Sequence, residues 1–479
     1  MVWPFFMTAG PCGVATVWLA LVQHRSLMKA LMTQTPEALC HALLDAARKA
    51  GAETADAMAA KGSSLSIEVR EGALEHAERS EGVDIGLRVF VGQRQAQVSS
   101  SDTRPDTLTA MAQRAVEMAK EAPEDPYAGL ADPGQLAARW DIDALEMADP
   151  SAEPAPDTLQ QDALEAEAAC AAVDGITQVQ SAAAGYGRHD VHLAASNGFS
   201  GGYARTSRSV SCVGIAGTGT GMERDYDGDT RTYQSDLRAA ADIGHRAGIR
   251  ATERHGARRP KTGSYPVLFD ERISSSLVGH LLGAANGAAI ARGSSWLKDS
   301  LGATILPDTL SIIEDPFRPR MSGSRPFDSE GLPTQRRAIV EDGVLTGWTM
   351  DLASARKLGM ASTGNAARGI GSVPTPSNWN ISLTQGSHTR ADLIHDMGTG
   401  LLVTSMIGST INPNTGDYSR GASGFWIENG EIAFPVNEVT IAGNLLDMLK
   451  TMVPANDARR YLSRVVPSLL VEGMTLAGE

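Results

Sequence analysis

Three Asn-Gly or Asp-Gly dipeptides, each lying between two short apolar stretches, constrain the fold of this chain most strongly. They are Asn197-Gly198, Asp342-Gly343 and Asn429-Gly430. Such dipeptides favour the two-residue turns of β-hairpins, because Asn, Asp and Gly tolerate the positive φ angles that these turns need. Helical stretches are interspersed with the strands without a regular strand–helix–strand alternation. The sequence therefore predicts an α+β protein, and not a doubly wound parallel sheet.

Apolar periodicity predicts the individual elements. Helical spacing covers residues 37–51, 104–120, 157–173, 236–255 and 272–289. Strand patterns cover residues 65–70, 83–91, 191–195, 202–208, 209–216, 266–269, 337–340, 345–348, 425–428 and 432–434. Gly51 stands where a helix C-terminal cap belongs. These elements indicate an N-terminal mixed domain of α/β type, followed by a C-terminal domain of antiparallel strands with short helices.

The chain has 479 residues, which is more than one hydrophobic core usually supports. A connector rich in Pro, Asp and Glu covers residues 122–156, and a short basic linker follows the helical stretch that ends at residue 255. We therefore predict an N-terminal domain at 35–125, a central domain at 126–260 and a C-terminal domain at 261–479.

Residues 1–34 are predicted to be a non-native or disordered extension, with the natural start at Met28 or Met32. Their apolar run at 14–22 is too short to cross a bilayer. A secretory signal would carry basic residues before that run, whereas the first basic residue, Arg25, follows it.

Charge and cysteine content exclude several classes of partner and location. The chain has 42 Lys and Arg against 56 Asp and Glu, a formal net charge of −14. That balance disfavours sequence-independent binding of nucleic acid or of an anionic membrane.

Four cysteines, Cys12, Cys40, Cys170 and Cys212, form no CxxC pair. We expect them to be thiols in a reducing compartment, and the protein to be cytoplasmic.

Two local patterns suggest chemistry but also have simpler explanations. Residues 198–202 match the G-x-S-x-G pattern of serine hydrolases around Ser200, but a strand follows where the nucleophile elbow needs a helix. A Gly-rich hairpin turn is the favoured interpretation.

Four acids, at Glu223, Asp225, Asp227 and Asp229, alternate as calcium ligands do. Without the rest of a calcium-binding loop, a solvated acidic loop is favoured.

A segment near the C-terminus is dense in Gly and aromatic residues. It contains the candidates Asp417, Tyr418, Arg420, Phe425 and Trp426. Two interpretations stay open: a hairpin with close backbone approach, or a groove wall whose backbone pairs with an extended peptide.

Several motifs together resemble the TldD/PmbA family, and the resemblance runs from about residue 35 to the C-terminus. They lie at 222–226, 326–331, 354–359, 397–404, 416–422, 424–432 and 440–445. The resemblance implies a peptidase system in which a TldD-type chain carries zinc through an HExxxH helix and a distant Cys. The second, PmbA- or TldE-type chain pairs with it, and together they process small unfolded peptides.

By that resemblance, the HExxxH positions fall on Ser275, Ser276 and His280. Residues 462–470, where the third ligand would lie, contain no Cys. A Ser hydroxyl is a poor zinc ligand and cannot replace the general-base Glu, and one His cannot hold a catalytic zinc. We therefore expect no catalytic residue, no metal and no other cofactor in this chain, with zinc in a TldD-type partner.

The leading hypothesis is a PmbA/TldE-type subunit of a zinc metallopeptidase heterodimer that processes or degrades small unfolded peptides. The alternative is a stand-alone peptide-binding regulatory module, for which a self-sufficient homodimer would be expected. Neither requires direct contact with nucleic acid or a membrane. A serine hydrolase built on Ser200 is a third possibility, for which we expect no activity.

Overall fold

The computed structural model describes residues 34–479. The α-helices are α1 (Pro36–Ala50), α2 (Pro105–Glu121), α3 (Pro156–Ala171), α4 (Ala240–Glu253), α5 (Ser275–Ala284), α6 (Gly287–Ala291), α7 (Leu352–Leu358), α8 (Arg390–Met397) and α9 (Leu445–Lys450). The strands are β1 (Thr54–Arg70), β2 (Ala73–Val91), β3 (Arg94–Ser100), β4 (Ile176–Ala195), β5 (Ser200–Ala216), β6 (Glu223–Arg231), β7 (Gly263–Phe269), β8 (Ile312–Glu314), β9 (Arg337–Glu341), β10 (Val344–Leu345), β11 (Ala366–Ala367), β12 (Thr375–Pro376), β13 (Ile381–Leu383), β14 (Gly400–Ile411), β15 (Asp417–Glu428), β16 (Glu431–Asn444), β17 (Val453–Pro454), β18 (Arg464–Val465) and β19 (Leu469–Ala477). The predicted extension at the N-terminus, including Cys12, lies outside the described residues.

The first six strands form one antiparallel sheet in the order β3-β2-β1-β4-β5-β6. On β1, the buried residues Ala55, Ala57 and Ala59 lie near the start of the strand, and Leu65 and Ile67 lie near its end. All of them have odd numbers, so they lie on the same face of the sheet. Helices α1 and α2 cover one end, and α3 and α4 cover the other.

Local capping signals explain why α1 begins and ends where it does. The Thr35 hydroxyl accepts a hydrogen bond from the backbone of Ala38, and Pro36 occupies the first helical position. Gly51 ends the helix in the left-handed conformation at φ 98°. This helix and the predicted C-terminal cap are confirmed.

Five strands of the C-terminal part close into a barrel in the order β16-β15-β14-β7-β19. The closing contact pairs β16 with β19, through residues 440–442 and 475–477. The β7–β14 pair is parallel and the other pairs of the barrel are antiparallel. Phe269, Leu401 and Ile441 are fully buried in its core. The predicted α+β class and the antiparallel C-terminal strands are confirmed.

The predicted helix at 272–289 is wrong in its length. It ends at Ala284, and a second helix, α6, begins at Gly287 after an Asn286 cap whose side chain accepts from the backbone of Ala288. Asn286 competes with helix continuation because its short amide bonds to the local backbone. The Asn286 amide also donates to the carbonyl of Pro376, which fixes the break.

Four features of the structure bear on the remaining predictions from the sequence. All three predicted hairpins are confirmed, and they connect β4 to β5, β9 to β10 and β15 to β16. Cys40, Cys170 and Cys212 are free, buried thiols. No helix within residues 34–479 is long and apolar enough to cross a membrane. The domain boundaries at 125 and 260 stay predictions; β1–β3 and β4–β6 share one sheet across the first of them.

Candidate functional site

Helix α5 carries the three positions that the resemblance aligns with a zinc helix. It follows β7 through a turn in which Ile273 and Ser274 both donate to the carbonyl of Asp270. Its apolar side anchors it in the core through Leu277, Leu281 and their neighbours. The helix is therefore rigidly placed beside the barrel.

The structure does not bring the three helix positions together. Ser275 lines a cleft of about 460 Å³. The Ser276 hydroxyl donates to the carbonyl of Ile273 at 2.7 Å, as a local backbone bond. His280 packs edge-on against Tyr418, with ring centroids 5.9 Å apart, and its Nε2 is buried without a hydrogen-bond partner. Burial lowers the pKa of His280, with a smaller contribution from Arg420, so the ring is neutral at pH 7.

The acidic run that was interpreted as a solvated loop is instead the edge strand β6, so that prediction is wrong. Asp225, Asp227 and Asp229 are buried, and they alternate with residues that are more exposed. Each is neutralised by an arginine: Arg272 lies 3.0 Å from Asp225, Arg250 lies 2.8 Å from Asp227, and Arg231 lies 2.9 Å from Asp229. Burial of acids is tolerated here because each is paired and hydrogen-bonded.

One of these pairs connects the strand to the start of α5. Arg272 bonds Asp225 and also contacts Asp270 at 3.4 Å, and Arg390 of α8 donates to the other oxygen of Asp270. Next to it, Arg459 donates to Glu271 at 2.6 Å. These ion pairs connect the N-terminal sheet, the turn before α5, α8 and the loop between β17 and β18 into one wall.

That wall borders a large cleft with a volume of about 850 Å³. Its other side is α4 and the ends of the barrel strands. The basic lining residues are Arg238, Arg246, Arg250, Arg272, Arg390 and Arg459; the acidic ones are Glu253, Asp270, Glu271 and Asp457; the apolar ones include Ile249, Leu402, Phe425, Ile432 and Phe434. A cleft that combines apolar surface with charges of both signs suits the side chains, backbone and terminal carboxylate of a peptide.

The five groove candidates predicted from the sequence lie in different surroundings in the structure. Tyr418 and Trp426 are buried in the barrel core, and Asp417 is exposed at the start of β15. The Arg420 guanidinium donates to the carbonyl of Gly408 at 2.7 Å. Phe425 alone of the five lines the large cleft.

Strand β15 lies between β14 and β16, so both of its edges are already paired. Of the two open interpretations, the close-packed hairpin describes this backbone. Gly424 illustrates it, because an added Cβ would lie 1.9 Å from the carbonyl of Leu402.

Sequence reasoning missed most of the cleft. Arg246 and Arg250 are four residues apart on α4, and that spacing could have indicated a basic helix face. Arg390 and Arg459 come from distant parts of the chain, and they lie beside α4 only in the folded protein.

Three family models match successive parts of the chain. They are described as PmbA/TldA metallopeptidase domain 1 (residues 55–119), central domain (149–254) and C-terminal domain (262–478). The chain is 38% identical over 451 residues to metalloprotease PmbA of Escherichia coli O157:H7, covering 92% of this chain and 96% of that protein. The chain belongs to the PmbA/TldD family.

Other members of the PmbA/TldD family agree with this assignment. A PmbA homologue from Haemophilus influenzae is 35% identical over 458 residues, covering 95% of this chain and 98% of that protein. A crystal structure from Bacteroides thetaiotaomicron, named as a modulator of DNA gyrase, superposes with a TM-score of 0.86 at 28% identity, covering 93% of this chain and all of that one. TldE from Thermococcus kodakarensis shares the fold, with a TM-score of 0.80 at 21% identity, covering 91% of this chain and 99% of that one.

The residues of α5 do not fit the zinc ion that a metallopeptidase of this family would need. The helix offers one imidazole and two hydroxyls at the aligned positions, and the hydroxyl of Ser276 is used by the backbone. Zinc in proteins takes His, Cys or carboxylate ligands, and a catalytic site needs three of them. Among the described residues, His280 belongs to no cluster of such groups.

Proposed function

We propose that this chain is the PmbA/TldE-type subunit of a two-chain zinc metallopeptidase that processes or degrades small unfolded peptides. In this proposal the zinc and the catalytic machinery belong to a TldD-type partner carrying an intact HExxxH helix. This chain completes the chamber around the substrate and holds part of the peptide. The complex is expected in the cytoplasm.

The side chains at the three aligned positions of α5, two serines and one histidine, are the observation that carries the proposal. Ser275 and Ser276 replace a ligand and the general base, and they supply neither a soft metal ligand nor a group that takes a proton at neutral pH. The family relationship to metalloproteases supports a role in proteolysis, while this donor set argues that the chain does not cut peptides alone.

The large cleft supports the substrate-holding part of the proposal. Its volume of about 850 Å³ is in the range of ligand-binding sites, and it lies against the turn that begins α5. Ile432 is 53% exposed at its edge, an apolar surface that a bound peptide would cover. Arg246, which is exposed and forms no ion pair within residues 34–479, offers a partner for an acidic side chain or a C-terminal carboxylate.

Reconstitution tests the proposal. The chain and an HExxxH-bearing relative from the same genome are purified separately, then mixed, and the cleavage of an unfolded peptide is followed. We expect a one-to-one complex, cleavage only by the mixture, and retained activity when His280→Ala is used in this chain. In the partner, substitution of either HExxxH histidine should abolish cleavage.

Two outcomes would contradict the proposal. Cleavage by this chain alone, lost in His280→Ala, would place a working site on α5. A stable homodimer that binds peptide but never associates with an HExxxH chain would favour the stand-alone binding module.

A further inference from the structure

A second group of metal-binding side chains lies far from α5, where α1 packs on the N-terminal sheet. Glu37 and His41 are four residues apart on α1 and therefore share one face of the helix. His192 faces them from β4. One ligand atom from each of the three residues lies within 4.8 Å of the others.

The two imidazoles converge on one point, and Ser200 marks it. The Ser200 hydroxyl lies 2.9 Å from Nε2 of His192 and 3.5 Å from Nε2 of His41. Both Nε2 atoms are thus aimed at the same small volume, which the Glu37 carboxylate also approaches. Two nitrogens on a single zinc are at most about 4.2 Å apart, twice the Zn–N distance, so only a small side-chain adjustment is needed.

The backbone beneath the cluster is held in place. Cys40 donates from its thiol to the carbonyl of His192 at 3.3 Å, and Leu39 and Leu43 bury the inner face of α1. Gly202 on the neighbouring strand leaves room for the His192 ring, since an added Cβ would lie 2.6 Å from its Nδ1. Only the exposed side chains of Glu37 and His41 have to move to close around an ion.

The chemistry of the donors selects a class of ion. Two imidazoles and one carboxylate suit zinc and its neighbours among the divalent transition metals, and they do not suit calcium or magnesium, which take oxygen ligands. The Cys40 thiol donates to the carbonyl of His192 and is outside the ligand set.

A serine hydrolase is the competing use of the same residues, since Ser200 and His192 are in hydrogen-bond contact. The context disfavours it, because Ser200 begins β5 directly after a hairpin turn and no helix follows. A nucleophile elbow needs the strand-to-helix turn. The second imidazole beside the hydroxyl also has no role in such a mechanism, whereas it is a second ligand in a metal site.

We propose that Glu37, His41 and His192 form a binding site for one divalent transition-metal ion of the zinc class. The ion would join the start of α1 to the C-terminal end of β4. This site is separate from the zinc of the peptidase partner, and it does not depend on the function proposed above.

Zinc titration of the full-length, untagged, metal-free chain tests the site. Calorimetry should show one Zn²⁺ per chain, and zinc should raise the melting temperature by at least about 2 °C, since an ion bound to the folded state stabilises it. His41→Ala, at an exposed helix position that alanine suits, and His192→Ala should each weaken binding at least about tenfold, because even loss of a second-shell partner has that effect.

Three variants serve as controls. His76→Ala removes an exposed histidine elsewhere on the sheet and should leave zinc affinity unchanged. His280→Ala should also retain it, and loss of zinc there would place the ion on α5 and overturn the proposal. Ser200→Ala should still bind zinc. No zinc uptake by the unaltered chain, full affinity in the His41→Ala/His192→Ala double variant, or an ester-hydrolysing activity lost in Ser200→Ala would each overturn it.

Discussion

At the scale of single residues, Asp56 forms a buried ion pair between the N-terminal sheet and the C-terminal part. It is buried between two arginines: Arg88 donates from Nε at 2.9 Å, and Arg368 donates to its other oxygen. Burial alone would raise the pKa of Asp56, but Arg368 and Arg88 together hold it below its ordinary value. Its charge therefore contributes stability at neutral pH, which is lost as pH falls through the lowered pKa.

Asp56→Ala should destabilise the protein strongly, because it leaves two buried guanidinium groups without a counter-charge. We expect a loss of about 3–5 kcal/mol in the free energy of unfolding, measured by urea denaturation. The matched control is Asp45→Ala, which removes the exposed partner of Arg48 and should cost less than about 1 kcal/mol. Equal effects of the two variants would show that the buried triad is not stabilising.

Glu330 gives the stability of the protein a pH dependence opposite in sign to that given by Asp56. The side chain is buried, and this burial, with the neighbouring Asp328 carboxylate, raises its pKa to about 8. Asp328 accepts three backbone hydrogen bonds, from Glu330, Leu332 and Ala366, whereas Glu330 accepts one, from Leu352. Glu330 is therefore the acid of the pair that holds the proton.

Because folded Glu330 binds a proton that the unfolded chain releases, stability should fall as pH rises from about 4.5 to about 8. Glu330→Gln cannot ionise and keeps an oxygen for the Leu352 amide. It should match the unaltered protein at pH 4.5 and exceed its unfolding free energy by about 1–3 kcal/mol at pH 8.5. Denaturant titrations across this range measure the difference. Parallel pH profiles of the two proteins would mean that Glu330 is already ionised when folded.

At the scale of elements, the barrel depends on strands whose backbones lie too close together for a side chain at the point of contact. Gly424 lies on β15 beside a bulge in its pairing with β14, and a Cβ there would meet the carbonyl of Leu402 at 1.9 Å. Gly424→Ala should therefore force two barrel strands apart and cost about 1–3 kcal/mol or more, seen as a lower melting temperature.

Gly82→Ala is the control for this substitution. Gly82 also lies in a strand, but an added Cβ meets nothing within 4 Å. The variant should be neutral or slightly stabilising, because alanine restricts the unfolded chain. A Gly424→Ala protein as stable as Gly82→Ala would show that the barrel can widen at this point.

The same scale explains which elements the sequence could predict. Helix α1 was predictable because Thr35, Pro36 and Gly51 act within a few residues of its ends. The Asn429-Gly430 hairpin was predictable because both residues take the positive φ angles, 54° and 78°, that the turn demands. In both cases the signal and the structure it specifies are adjacent in the chain.

What could not be predicted depends on residues that are far apart in sequence. The pairing of β16 with β19 closes the barrel, and no local pattern near Thr440 indicates its partner. Asp225 appeared solvated because its partner Arg272 comes 47 residues later. The zinc-class cluster was missed for the same reason: the spacing of Glu37 and His41 is visible, but His192 joins them only when β4 pairs with β1.

At the scale of the whole molecule, charge is distributed unevenly. The chain carries a net charge of −14, yet the cleft beside α4 is lined by six arginines against four acids. Most of the six are neutralised by buried acids, but Arg246 is exposed on α4 and forms no ion pair within residues 34–479. An acidic peptide carries the same sign of charge as the chain as a whole, and the exposed Arg246 offers it a local attraction in this cleft.

Arg246→Glu should weaken binding of an acidic, unfolded peptide about three- to tenfold at low salt, with a smaller effect at high salt, because the charge is exposed and screened. Fluorescence anisotropy with a labelled peptide measures it. Arg48→Glu on α1 changes the net charge by the same amount outside the cleft, and should leave the affinity nearly unchanged. If both variants weaken binding equally, only net charge matters; the cleft would then not be the place where the peptide is held.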